Sequence, residues 1–500
     1  MITSCQDDRA GRTVTVDRRR FLQVAGLAGA GAVLSACTGS APPGPVPSAS
    51  APPSAPPSSS SVPSGPPDWA ALRSRLSGQL LLPDQDGFAY QGFNPVWNQR
   101  TPAAVARCAS VDDVRVCVEA ARLRVPIAAR GGGHSYAGYS TPENGLQVDL
   151  RELAAVEVLP GDQVRVGAGA QLGEVARVLA GSGRCLPTGT CPTVGVAGLT
   201  LGGGIGVLAR KYGLTCDHLV SATAVTADGR VVTASAEREP DLFWALRGGG
   251  GGNFAIVTEF VFATVPAPQV TVFSLQYGAG ATADVLGEWQ RWIAQAPKEL
   301  WANVVVRGGP QPTCRVGGCF VGSTGGLTSL LAALPAPASR FVQAQSYTEA
   351  TRYFAGNGIQ HESFVASSRI VREPIGDPAR AVELMNGQSD ESYLIFDGLG
   401  GAVADVAPSA TAFPHRTALA CAQIYFKTPP EAATEAGQAM GRVRDGIGAL
   451  VGDTGYVNYI DPQLPRWAEA YYGGNLGRLR EVAGKYDPDR VFAFAQSIPR

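Results

Sequence analysis

Two glycine-rich blocks set the terms on which this chain can fold: RGGGHSYAGYS at 130–140 and GTCPTVGVAGLTLGGGIG at 189–206. Glycine runs weaken helix and strand alike and lose much backbone entropy on folding, so they need a purpose that only a bare backbone serves. A loop that follows a strand can aim several N–H groups at a phosphate, with no Cβ holding the ligand away. Ile127-Ala128-Ala129 reads as such a strand and runs directly into Gly131, Gly132 and Gly133. Taken alone, the first block could equally be a tight turn with His134 on a solvated edge. GGGIG superficially matches a dinucleotide fingerprint, but no acidic residue follows at the usual distance after a clear βαβ unit, which leaves a Rossmann reading weak.

The surrounding pattern mixes helices with hairpins. Ser110 followed by Asp113 starts a helix like a capping box, and Val114, Cys117, Val118 and Ala121 carry it until Pro126. Strands are expected at 146–150 and 164–166, the second entered through Pro160-Gly161-Asp162, and LGEVARVLAGSG reads as a helix ended by glycine. AVTADGRVVTAS predicts a hairpin turned at Asp228-Gly229, and 241–247 a short helix. Five glycines then lead into the alternating strand NFAIVTEFVFATV. Beyond Pro266 come longer segments such as 281–296 and strand-like runs such as 301–306, with fewer glycine clusters, which indicate a second α+β domain.

The first residues read as an export signal rather than fold. Arg18, Arg19 and Arg20 precede a Gly/Ala/Leu-rich run to Ala36 that is short and Gly-rich for a membrane span. DRRRFL resembles a twin-arginine signal, and Leu34-Ser35-Ala36-Cys37 a lipobox that would lipidate Cys37; the alternative is ordinary cleavage near Ala36 without lipid. Residues 38–67, almost wholly Pro, Ser, Ala and Gly, suit a solvated tether. Lys and Arg total 41 against 42 Asp and Glu, which offers no basic footprint for nucleic acid. No CxxC pair appears, so no structural zinc site, nor any other metal, is expected. Cys314 and Cys319 flank RVGG, a turn-like spacing open to a disulfide or to free thiols on neighbouring strands.

RGGGHSYAGYS together with TCPTVGVAGLTLGGGIG resembles the berberine-bridge-enzyme-like flavoproteins, whose FAD domain is of the vanillyl-alcohol oxidase and p-cresol methylhydroxylase type. HRTALACAQIYF, YVNYIDP and YYGGNLGRLREVAGKYDPDRVFAFAQSIP match the same family, so the resemblance runs over roughly 68–500. It implies a two-domain α+β fold: an FAD-binding domain at 68–266, a substrate domain of antiparallel sheet flanked by helices at 267–430, and a C-terminal segment, 431–500, returning to the FAD domain. It also implies FAD bound covalently, through His134 to the 8α-methyl carbon and through Cys191 to C6. Imidazole and thiolate are natural nucleophiles for such electron-poor carbons. The bland alternatives are a hydrogen-bonded loop histidine and a small buried cysteine. The further cofactor residues it implies are Arg130, Gly131, Gly132, Gly133, Ser135, Gly189, Thr190, Val194, Gly195, Gly198, Gly202, Gly203, Gly206, Val257 and Asn458.

The family chemistry takes a hydride from an alcohol to flavin N5 while a base removes the hydroxyl proton. Tyr456 is expected as that base with Tyr136 assisting, and Tyr459 as the alternative. An unperturbed tyrosine, with a pKa of about 10, needs help at neutral pH. Gln423 matches a position where some members carry a catalytic carboxylate, and a glutamine is no base. Val194 matches the family's gatekeeper, small enough to admit oxygen, which points to an oxidase making hydrogen peroxide unless it merely packs the loop. Phe396-Asp397-Gly398-Leu399-Gly400-Gly401 and Ile424 replace more aromatic segments, which counts against a sugar substrate without excluding it. His415-Arg416 is a recurrent pair expected at the surface or a hinge. The leading expectation is an exported, lipid-tethered FAD oxidase acting on an alcohol of a sugar or secondary metabolite with O2. The alternatives are a dehydrogenase serving a quinone or carrier, and a non-catalytic binding lipoprotein.

Overall fold

The computed structural model describes residues 67–88, 92–122, 125–356 and 361–500. The twin-arginine segment, the lipobox with Cys37 and the linker to residue 66 lie outside the described residues.

The first half is built on two sheets. In one, β1 (Gln79–Leu81), β2 (Ala104–Arg107), β3 (Ile127–Arg130) and β4 (Leu146–Asp149) take the order β1-β2-β4-β3, with β4 parallel to both β2 and β3. The helix Val111–Ala121 bridges β2 and β3. Ser110 Oγ caps it by accepting from the Asp113 N–H, and Asp113 in turn accepts from the N–H groups of Ser77, Gly78 and Ala109, stitching the helix start to the entry of β1. In the other sheet, β5 (Val156–Leu159), β6 (Gln163–Gly167), β7 (Leu219–Thr226), β8 (Val231–Ser235) and β9 (Ala255–Ala263) are antiparallel in the order β5-β6-β9-β7-β8. The hairpin expected at Asp228-Gly229 joins β7 to β8.

The second half is a seven-stranded antiparallel sheet. Its strands are β10 (Gln269–Tyr277), β11 (Leu300–Arg307), β12 (Thr313–Phe320), β13 (Ser339–Ser346), β14 (Phe364–Val371), β15 (Ser392–Gly398) and β16 (Ala420–Lys427), in the order β13-β10-β12-β11-β15-β16-β14. Its central strands read as near-continuous apolar runs because both faces are covered. One face packs Val304, Leu394, Phe396 and Ile424 under the helices Thr282–Gln295 and Ala433–Val451. The other meets the first half, where Ile395, Cys421 and Tyr425 share a cluster with Tyr136, Ile205, Tyr456 and Tyr459. The last residues return to the first core through Tyr471, Leu479, Val482, Phe492 and Ile498.

Two expectations change. Cys314 and Cys319 both lie on β12, five positions apart, and both are free thiols: the RVGG between them is extended strand rather than turn, so the pair cannot close a loop. His415 and Arg416 are neither exposed nor at a surface. Arg416 forms a two-pronged pair with Asp217 at 2.8 and 2.7 Å, and His415 Nε2 meets the Tyr471 carbonyl at 3.0 Å; both side chains are buried.

Candidate active site

The two glycine blocks meet face to face. A Cβ added at Gly132 would stand 2.3 Å from the Gly195 nitrogen, and one at Gly195 would stand 2.2 Å from the Gly132 nitrogen. Only bare backbone permits that approach. It seats the strand-end loop after β3 against the second block, and the pair form the wall of a cleft with an empty volume of about 1600 Å³, its open mouth included. Gly131, Gly132, Gly133, His134, Ser135, Tyr136, Val194, Gly195, Gly198, Val257, Tyr456, Asn458 and Tyr459 all line this cleft, as does Gly250–Gly252. That last run was noted in sequence only as a lead-in to a strand.

The structure separates lining glycines from packing glycines. Gly189, Gly202, Gly203 and Gly206 stand behind the wall: a Cβ at Gly206 would meet the Thr188 carbonyl at 1.9 Å, and one at Gly202 the Asn458 amide oxygen at 2.0 Å. Arg130 is buried at the end of β3, beneath Gly133, and Thr190 is buried beside Cys191.

His134 and Cys191 lie 57 positions apart and converge on one hydroxyl. Thr193 Oγ1 is 3.0 Å from His134 Nε2 and 3.5 Å from Cys191 Sγ. The imidazole stacks on Phe93 with ring centroids 3.8 Å apart and planes 20° from parallel, and its Nδ1 is buried with no hydrogen-bond partner. Burial, the largest cause, lowers the His134 pKa to about 3, so the ring is neutral and keeps a lone pair. Thr193 was missed in sequence; it sits inside the quoted motif but carries no chemistry of its own there.

The tyrosines divide by their partners. The Tyr456 oxygen accepts from the Gly204 N–H at 2.9 Å and from Asn458 Nδ2 at 2.8 Å, which occupies both of its lone pairs. Tyr459 Oη donates to Asp397 Oδ2 at 3.5 Å, and Asn303 Nδ2 donates to Asp397 Oδ1 at 3.4 Å. Burial raises the pKa of Tyr456 and Tyr459 alike and lifts the Asp397 carboxyl to about 7. Tyr136 stacks on Tyr459 with centroids 5.5 Å apart, and its oxygen accepts from Gln423 Nε2 at 2.6 Å.

Strand alternation explains how Asp397 was missed and how its neighbours were misjudged. Asp397, Ile395 and Tyr393 point to one face of β15, and Gln423 and Tyr425 to the same face of β16, because side chains alternate along a strand. Phe396 and Ile424 point the other way, into the helix-covered core. An aliphatic residue at 424 therefore says nothing about a sugar platform. On the cleft side aromatic rings are plentiful: Tyr136, Phe364 and Tyr425 pack within 4.4 to 6.3 Å of one another. His218 Nε2 meets the Tyr212 carbonyl, and His361 Nδ1 meets that of Gly92, one residue before the Phe93 that stacks on His134.

A family model described as an FAD binding domain matches residues 102–235, and one described as berberine and berberine like matches 455–499. The uncharacterized FAD-linked oxidoreductase YgaK of Bacillus subtilis is 36% identical over 446 residues, spanning 85% of this chain and 98% of its own length. Chitooligosaccharide oxidase of Gibberella zeae is 33% identical over 454 residues, spanning 83% of this chain and 90% of its own. Among solved structures, xylooligosaccharide oxidase from Myceliophthora thermophila in complex with xylobiose matches with a TM-score of 0.79 at 29% identity, covering 86% of this chain and 98% of that one.

Proposed function

The chain belongs to the berberine-bridge-enzyme-like FAD-linked oxidases, and from that premise we propose that it oxidises a sugar alcohol group with bicovalently held FAD and releases hydrogen peroxide. The observation that carries this reading is the convergence of Cys191 and His134 on Thr193, with His134 lining the glycine-rich cleft.

The residues present fit the cofactor. Backbone at Gly131–Gly133 and Gly250–Gly252 lets a pyrophosphate approach without Cβ interference. His134 Nδ1, buried and unpartnered, is the nitrogen available to bond the 8α carbon, and Cys191 supplies the sulfur for C6. Held by these residues, FAD would supply a hydride acceptor at N5 and a route for the electrons to dioxygen.

The chain's own residues manage the proton. Tyr459 Oη receives the substrate hydroxyl proton as it passes its own to Asp397 Oδ2, a carboxylate being the ordinary base that buried tyrosine is not. Tyr456, expected as the base, accepts from the Gly204 N–H and Asn458 Nδ2 and has, among the described residues, no hydrogen bond to a carboxylate that could take its proton onward; in this reading it fixes that backbone and amide beside the relay. Gln423 orients Tyr136, which stacks flat on the Tyr459 ring. Relatives named for chito-, xylo- and glucooligosaccharide oxidation favour a sugar over a secondary metabolite.

The test is peroxide release under air with a panel of chito-, xylo- and gluco-oligosaccharides, alongside acid precipitation of the protein. Yellow polypeptide with peroxide from one sugar series supports the reading. Reduction of a quinone dye without peroxide would favour the dehydrogenase, and free flavin in the supernatant would remove both tethers. We further propose export by the twin-arginine route and anchoring through lipidated Cys37, which predicts that Cys37→Ala moves the enzyme from the membrane fraction to the medium.

A further inference from the structure

We propose that Thr193 is a positioning residue for self-flavinylation: its hydroxyl, shared by His134 Nε2 and Cys191 Sγ, readies both nucleophiles together. The inference rests on the bicovalent reading above and adds a residue that acts through the two attachment residues.

A hydroxyl carries one proton, so Thr193 can donate to only one of its two neighbours. The attacking form of cysteine is the thiolate. When Cys191 is a thiolate, the Thr193 proton points at sulfur and the oxygen accepts from His134 Nε2–H. The neutral imidazole then carries its lone pair on Nδ1, the buried nitrogen with no partner. When sulfur takes up one proton from solvent the chain reverses: the Cys191 thiol donates to the Thr193 oxygen, the Thr193 hydroxyl donates to Nε2, and the neutral imidazole carries its proton on Nδ1. Both nucleophiles are then blocked at once. Phe93, stacked at 3.8 Å, holds the plane of the imidazole, so the hydrogen-bond direction rather than ring rotation selects the state.

Each attachment replaces a flavin C–H by C–N or C–S. The nucleophile's proton and the carbon's proton leave, and the electron pair stays in the flavin until dioxygen takes it as hydrogen peroxide. Thr193 supplies none of these atoms; it sets which nitrogen and which sulfur state meet the ring.

The experiment compares the full chain with Thr193→Val, Thr193→Ala and Thr193→Ser, each expressed with ample FAD. Total flavin after gel filtration reports non-covalent binding. Peptide mass mapping after acid precipitation reports flavin on the His134 peptide and on the Cys191 peptide separately. The expected result is wild-type total flavin in the Val and Ala variants, with attachment slowed about tenfold or more at both peptides, and recovery in the Ser variant. A merely structural threonine would lower total flavin without this pattern. Val and Ala variants that attach flavin at both sites as fast as wild type would overturn the proposal, and so would a loss confined to one site. If the wild-type protein carries flavin on neither peptide, the bicovalent reading falls and this inference with it, an outcome distinct from a wild type that is fully attached and variants that match it.

Discussion

Tyr459 Oη donates to Asp397 Oδ2 at 3.5 Å, joining residues 62 positions apart on the C-terminal segment and β15. Asp397 has its carboxyl pushed up to about 7, chiefly by burial. Below that pH the carboxyl is protonated and cannot receive the Tyr459 proton, so kcat is expected to rise with pH through about 7. Asp397→Asn should lower kcat by roughly 10²- to 10⁴-fold and flatten that limb of the profile, while flavin content stays at the wild-type level. A variant with an unchanged pH profile would remove Asp397 from the relay.

Tyr459 and Tyr456 differ in partners more than in place. Tyr459→Phe should cost kcat about as much as Asp397→Asn. Tyr456→Phe, losing an acceptor for two donors rather than the relay atom, should cost about tenfold and lower stability by about 1–3 kcal/mol, the penalty of leaving the buried Gly204 N–H and Asn458 amide without that partner. Steady-state rates and thermal melts of the pair decide which phenol receives the proton.

Val194 lines the cleft close to the glycine pair, and its backbone bonds tie it to Cys191 and Leu172. Enlarging it to leucine adds one methylene in a position argued to admit oxygen. Peroxide formation should fall while reduction by substrate, followed by flavin bleaching under nitrogen, stays near wild type. Equal losses in both half-reactions would mean that Val194 only packs.

Gly132→Ala places a Cβ 2.3 Å from the Gly195 nitrogen, where no flexible side chain can yield. The expected loss is about 1–3 kcal/mol of stability, from overpacking, together with most of the bound flavin. Gly278→Ala, outside the cleft and with open space at its Cβ, is the control and should be mild.

Arg416→Met breaks the two-pronged pair with Asp217 and leaves the carboxylate nearly buried without its cation. A destabilisation of about 3–5 kcal/mol is expected by chemical denaturation, whereas replacing both partners by apolar residues should recover much of it.

Local signals were legible wherever one residue type answers one local need. Ser110 capping a helix, Gly161 and Asp162 at positive φ in a hairpin, and the glycine loop after β3 each follow from sequence neighbours. Asp397 was quoted but passed over among its neighbours, because its role depends on which face of β15 it occupies and on a tyrosine from another element. The RVGG between Cys314 and Cys319 read as a turn because glycine pairs usually are; here they lie in the middle of a sheet, where Gly317 gives up space that the Arg315 side chain fills.

Sequence alone determined that the backbone must come close to a ligand at two loops, and which side chains there could act as nucleophiles. Composition and motif are enough for that, since both are properties of adjacent residues. Only the tertiary structure decided that Thr193 lies within hydrogen-bond reach of both His134 and Cys191 and that Tyr459 donates to Asp397. Strand register and side-chain alternation set those contacts, and a shift of one residue would turn Asp397 to the opposite face of the sheet.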